Sequence, residues 1–83
     1  MMLKKQTLTI HDIYVPVKRR QTLNLKKVEA LAESMLAQGQ EAPVLVRPDG
    51  KRFVLVEGQH RLEACMALGE TTVSAYLVQA CQH

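Results

Sequence analysis

The chain has 83 residues, of which 47% are hydrophobic and 23% are charged. This indicates one globular domain over residues 1–83 and excludes a disordered chain, a coiled coil and a fibre. The net charge of +3 is uneven, because residues 1–27 hold seven lysines or arginines and one acidic residue. That basic third suits a nucleotide phosphate or weak, non-specific contact with nucleic acid, or is simply a solvated face. Three aromatic residues are too few for the stacking platform typical of single-strand binders.

Targeting, cysteine and metal signals are weak. No run approaches 18 apolar residues and no apolar stretch marks a signal peptide, so we expect a cytoplasmic protein without a membrane partner. Cys65 and Cys81 lack CxxC spacing, which favours reduced thiols over a disulfide or a metal pair. His11 and His83 have no partner at metal-ligand spacing, so the sequence predicts no structural metal.

The first predicted elements are a strand and a long helix. Apolar residues alternate with threonines over Gln6–Ile10, which predicts a half-buried strand. Segment 11–22 contains a proline and a basic run, and we expect it to be irregular. Apolar residues at helical spacing predict a helix over Leu25–Gln38. Asn24 is suited to cap its first turn, and Gly39 is suited to end it.

A hairpin, a second helix and a last strand follow. The apolar runs Val44–Val46 and Phe53–Val56 flank the turn residues Pro48–Gly50, which predicts an antiparallel hairpin. Helical spacing predicts a helix over Gln59–Leu68, and alternation predicts a strand over Thr72–Val78. The order β-α-β-β-α-β indicates a single compact α+β domain.

The junction between the second hairpin strand and the second helix carries the strongest chemical signal. Gly58 allows close approach of a ligand, and a helix N-terminus offers unpaired amides and the positive end of its dipole. His60 and Arg61 lie in the first turn, where cations are unfavourable unless an anion is bound. The junction therefore predicts phosphate binding. The alternative is that Arg61 pairs with Glu57 or Glu63 and that His60 caps the helix.

The motif Gly58-Gln59-His60-Arg61, with the helix and the proline-strand step before it, resembles the signature of the ParB/sulfiredoxin superfamily over about residues 7–79. The resemblance implies that family's fold and a nucleoside triphosphate, ATP or CTP, with magnesium held mostly by phosphate oxygens and water. Sulfiredoxins carry a nucleophilic cysteine where this chain has Gln59. Nucleotide binding is therefore implied, and sulfinic acid reduction is not.

The resemblance also implies ligand residues outside the motif. Sulfiredoxins hold ATP with a lysine and two hydroxyl residues on the first helix, and the matching positions here are Lys27, Ala30 and Ser34. These positions share one helical face, although Ala30 has no hydroxyl. The basic run Lys18-Arg19-Arg20 lies where relatives place an arginine near the nucleotide; the sequence does not fix which of the three matches, and we take Arg19. The implied nucleotide or phosphate site consists of Gly58, Gln59, His60, Arg61, Lys27, Ser34 and Arg19.

Four functions remain open on the sequence. The first is a nucleotide-binding domain that acts as an NTPase or a nucleotide switch in a DNA-associated role. The second is a ParB-like nuclease acting non-specifically on nucleic acid. The others are a sulfiredoxin-like protein that has lost its catalytic cysteine and a protein-interaction domain that kept only the fold. Gln59 and the absence of paired carboxylates at short spacing favour the first.

Overall fold

The computed structural model describes residues 4–17, 23–40 and 42–78. These residues form a five-stranded sheet with two α-helices and a short 3-10 helix. The elements in chain order are β1 (Lys4–Thr9), a 3-10 helix (Ile10–Asp12), β2 (Ile13–Tyr14), α1 (Leu25–Gln38), β3 (Val44–Asp49), β4 (Arg52–Glu57), α2 (Gln59–Ala67) and β5 (Thr72–Leu77). The strand order across the sheet is β1-β5-β3-β4-β2.

The predicted fold class and order of elements are confirmed, with one addition. The irregular segment expected over residues 11–22 contains a two-residue strand, β2, which pairs in parallel with β4 through Ile13 and Phe53. Two residues are too few to show a period in the sequence, and the neighbouring strand determines their conformation. The predicted strand over Gln6–Ile10 begins earlier and ends at Thr9, because Ile10 starts the 3-10 helix.

The hairpin strands are longer than predicted, and the turn is shifted. Pro48 and Asp49 belong to β3, and the turn consists of Gly50 and Lys51. Pro48 is tolerated in this strand because β5 pairs with β3 only as far as Val46. No strand on that side therefore requires the N–H that proline lacks.

Both helices contribute to one hydrophobic core on one side of the sheet. The buried sheet residues include Val44, Val46 and Ala75, and helix α2 contributes Leu62 and Cys65. These alternate positions of β3 and β5 must face the same way, because successive side chains of a strand point to opposite faces. Neither described helix is long and apolar enough to cross a membrane.

Candidate functional site

Gly58 is the N-cap of α2, and its position strongly favours glycine. Its φ of 107° and ψ of 29° lie in the left-handed region, which side-chain-bearing residues rarely adopt. A Cβ at Gly58 would also lie 2.8 Å from Cγ1 and 3.1 Å from Cα of Val44, which is completely buried. The close contact between this turn and β3 therefore places the start of α2 directly against the sheet.

The N-terminus of α2 is left without a side-chain cap. Among residues 4–17, 23–40 and 42–78, no side chain accepts a hydrogen bond from its first turn, and the first backbone bond of the helix runs from the Leu62 amide to the Gly58 carbonyl. The amides of Gln59, His60 and Arg61 precede that bond and donate to no other described residue. Three N–H groups and the positive end of the helix dipole are thus available to an anion.

Helix α1, in contrast to α2, has a side-chain cap at its N-terminus. The side-chain Oδ1 of Asn24 accepts hydrogen bonds from the amides of Lys26 at 3.0 Å and Lys27 at 3.3 Å, so the predicted cap is confirmed. Of the three amides that precede the first backbone bond of α1, only that of Leu25 is left without a partner among the described residues. The start of α2 therefore offers three such amides to a ligand, and the start of α1 offers one.

His60 joins the two helix starts. Its Nε2 accepts a hydrogen bond of 2.9 Å from the backbone N–H of Asn24. The alternative that His60 caps its own helix is wrong, because it bonds instead to the residue that caps α1. Sequence reasoning identified Asn24 and His60 separately and missed their contact, since 36 residues separate them.

Arg61 is half-buried and forms no ion pair with another described residue. The alternative pairing with Glu57 or Glu63 is therefore wrong in this structure. Arg61 instead lines an open pocket together with Gly58, Glu57 and Tyr76. A cation next to three free amides, without a carboxylate partner among the described residues, is an arrangement suited to phosphate.

The other predicted ligand residues lie at different positions. Lys27 is exposed in the first turn of α1, three residues after Asn24, whose backbone N–H contacts His60. Ser34 is half-buried on the same helix, on the same face and about 10 Å farther along the axis. Arg19 lies outside the described residues. Among the described residues, no hydrogen bond or ion pair joins Lys27 or Ser34 to the Gly58–Arg61 turn.

Gln59, in the first turn of α2, and Cys65, farther along the same helix, bear on redox chemistry. Gln59, at the position of the sulfiredoxin cysteine, is 6% exposed. The thiol of Cys65 is buried, and burial raises its pKa; Glu70 raises the pKa further and Arg61 partly offsets this. Within the described ranges, no group of three His, Cys, Asp or Glu side chains is arranged to hold a metal ion.

Comparisons with known proteins agree with this fold. The family model of the ParB N-terminal domain matches residues 2–83. A probable chromosome-partitioning protein ParB of Coxiella burnetii is 34% identical over 77 residues, which cover 90% of this chain and 26% of the relative. The chain thus spans about a quarter of that relative's length.

Two solved structures are similar over most of the chain. The sulfiredoxin of Arabidopsis thaliana superposes with a TM-score of 0.84 at 25% identity, covering 93% of this chain and 86% of that one. A C-terminally truncated ParB of Caulobacter crescentus, complexed with CTP-gamma-S, gives a TM-score of 0.80 at 24% identity and covers 95% and 46% of the two chains. With the family match over almost all residues, the chain belongs to the ParB N-terminal domain family.

Proposed function

We propose that this chain binds a nucleoside triphosphate, ATP or CTP, with its phosphates at the N-terminus of α2. The observation that carries the proposal is the uncapped first turn, where Gly58 lies against β3 and Arg61 lacks a carboxylate partner among the described residues. Free amides, a helix dipole and an unpaired guanidinium all attract the same ligand, a phosphate group.

Each proposed ligand residue has a defined part. The amides of Gln59, His60 and Arg61 donate to phosphate oxygens, and the Arg61 guanidinium adds charge-assisted hydrogen bonds. Lys27 approaches from the start of α1, which the contact between His60 and Asn24 holds beside α2. Ser34 and Arg19 complete the proposed set, with Ser34 contacting a part of the nucleotide remote from the phosphates.

The identity of the ligand is supported by the similar proteins. The Caulobacter ParB structure contains a CTP analogue, and the resemblance of α1 to the ATP-holding helix of sulfiredoxins favours ATP. Magnesium would be carried by the triphosphate, since phosphate oxygens and water supply most of its ligands. We therefore propose ATP and CTP as the two candidate nucleotides.

The role of the bound nucleotide forms a second part of the proposal. A DNA-associated switch or NTPase is supported by the match to a probable chromosome-partitioning protein. The basic residues of the N-terminal third, among them Lys5, Lys26 and Lys27, would supply weak, salt-dependent contact with nucleic acid. Release of inorganic phosphate from ATP or CTP distinguishes an NTPase from a switch that only binds.

Calorimetric titration with ATP, CTP and GTP, with and without magnesium, tests the proposal. Arg61→Ala should weaken binding by about 1.5–3 kcal/mol, which is the range for charge-assisted hydrogen bonds and corresponds to roughly a 10- to 150-fold higher Kd. Arg52→Ala is the matched control, because Arg52 pairs with Asp49 at 3.3 Å on another part of the sheet. No heat with any nucleotide, or equal dissociation constants for Arg61→Ala and wild type, would reject the site.

A further inference from the structure

The sheet has a second face, directed away from the core. Val44, Val46 and Ala75 join the core with residues of both helices, whereas Leu45 and Tyr76 do not. Alternation along the strands therefore directs Leu45 and Tyr76 to the opposite side. We define this outer sheet face by the residues it groups together: Lys5, Tyr14, Leu45, Arg47, Val54 and Tyr76.

Strand pairing places these six residues in two adjacent rows. In one row Lys5 pairs with Tyr76, and Tyr76 pairs with Leu45, across β1, β5 and β3. In the next row Arg47 pairs with Val54, and Val54 pairs with Tyr14, across β3, β4 and β2. From the spacing of strands and residues, the two tyrosines lie about 15 Å apart on one continuous surface.

Basic side chains outnumber acidic ones on this face: Lys5, Arg47 and Arg52 lie there with Asp49 and with the exposed Glu57, which pairs with Leu45. Lys5 and Arg47 are exposed and form no ion pair with another described residue. Arg52 lies 4.4 Å from the centre of the Tyr14 ring and pairs with Asp49 at 3.3 Å, so the Asp49 carboxylate is neutralised. Within the described part of the chain, two free cations thus flank an aromatic and apolar strip.

We propose that the outer sheet face binds single-stranded nucleic acid. Unpaired bases would stack on Tyr76 and contact Leu45, while Lys5 and Arg47 would neutralise backbone phosphates; Val54 is only 6% exposed and supports this surface from below. Aromatic stacking combined with a basic track is how single strands are held without sequence reading. A duplex keeps its bases stacked on one another, so its affinity would not depend on the ring of Tyr76. The proposal does not rest on the nucleotide proposed at Gly58–Arg61, although Tyr76 and Leu45 also line the pocket beside Arg61.

The proposal reverses an expectation from the sequence. Three aromatic residues are few for a stacking platform, and their positions 14, 53 and 76 show no pattern. The fold sends Phe53 to the core side and places the two tyrosines on the outer face, beside cations from β1 and β3. A small platform therefore exists that residue counting does not reveal.

Fluorescence anisotropy with a labelled 12-nucleotide oligodeoxythymidylate tests the proposal, with no nucleotide present. An oligouridylate of equal length distinguishes RNA from DNA, and a 12-base-pair duplex is the third arm. We expect Tyr76→Leu to weaken single-strand binding by about 5- to 100-fold, because the apolar volume remains and the ring is lost. Tyr76→Phe should bind within twofold of wild type, and neither change should alter duplex binding.

Two charge variants complete the experiment. Arg47→Ala should lower the slope of log Kd against log salt by about 0.7, the loss of one phosphate contact on a single strand. Lys51→Ala removes the same charge from the exposed turn between β3 and β4, at one end of the sheet, and should leave the slope unchanged.

Three results would overturn the proposal: no binding at 50 mM salt, equal effects of Arg47→Ala and Lys51→Ala, or unchanged binding by Tyr76→Leu. Self-association that Tyr76→Leu abolishes would assign the face to a second copy of the chain and would equally overturn it. Because nucleotide is absent, any of these failures is distinguishable from failure of the Arg61 test.

Discussion

Gly58→Ala should be the most damaging single-methyl substitution among the described glycines. The left-handed backbone costs a residue with a Cβ about 1–2 kcal/mol, and the new methyl would lie 2.8–3.1 Å from three atoms of Val44. Val44 is completely buried in β3, so overpacking adds about 1–3 kcal/mol. The total of about 2–5 kcal/mol is a large part of the roughly 4–12 kcal/mol expected for a domain of this size.

Urea denaturation followed by circular dichroism measures this loss, and Gly69→Ala is the matched control. Gly69 has a φ of +78°, but a Cβ there would meet nothing within 4 Å, so only the backbone cost of about 1–2 kcal/mol remains. The double variant Gly58→Ala with Val44→Ala should lose at least about 0.5 kcal/mol less than the two single losses added together. Equal losses for Gly58→Ala and Gly69→Ala would refute the close contact with Val44.

Two further predictions concern the cap of α1 and the position of the sulfiredoxin cysteine. Asn24→Ala removes the acceptor of two amide hydrogen bonds and should cost about 1 kcal/mol of stability, or about 4–8 °C in the melting temperature. Asn24→Ser is the control and should retain most of the stability. An unchanged Tm for Asn24→Ala would contradict the cap. The wild-type chain should not reduce a sulfinylated peroxiredoxin with ATP and magnesium, because Gln59 has no thiolate and the pKa of buried Cys65 is raised. Gln59→Cys should show at most trace activity, since the hydroxyl missing at Ala30 is not restored. Multiple turnovers by the wild-type chain, followed by gel shift of the peroxiredoxin, would overturn this reasoning.

The local parts of the site could be predicted because single residues specify them. Asn24 caps α1 through its own side chain, and Gly58 ends β4 and starts α2 with a backbone conformation that favours glycine. Capping and left-handed turns depend on neighbours within three or four residues. A sequence pattern is therefore sufficient to predict caps and left-handed turns. It correctly predicts that the junction between β4 and α2 lies at Gly58.

The non-local parts could not be predicted for the same physical reason. The two residues of β2 are extended because they pair with β4. His60 contacts Asn24 because α1 and α2 pack against each other in the folded chain. Neither contact leaves a period or a motif in the chain. The sequence also could not predict whether Arg61 forms an ion pair, because Glu57 and Glu63 both lie within four residues of it. In the described structure Arg61 pairs with neither carboxylate.

The outer sheet face is a surface that arises from packing and not from a motif. Its six residues come from five strands, and only two of the six, Leu45 and Arg47, are two apart on one strand. Their grouping requires that both helices share one side of the sheet, so that every second residue of β3 and β5 faces away from the core. The core pattern that fixed the register thus also determined where Tyr76 and Arg47 lie, because in a strand the buried and exposed positions cannot be chosen separately. The Gly58–Arg61 turn adjoins this face through the pocket that Arg61 and Tyr76 both line, so one small domain presents an anion-attracting turn and an aromatic, basic surface side by side.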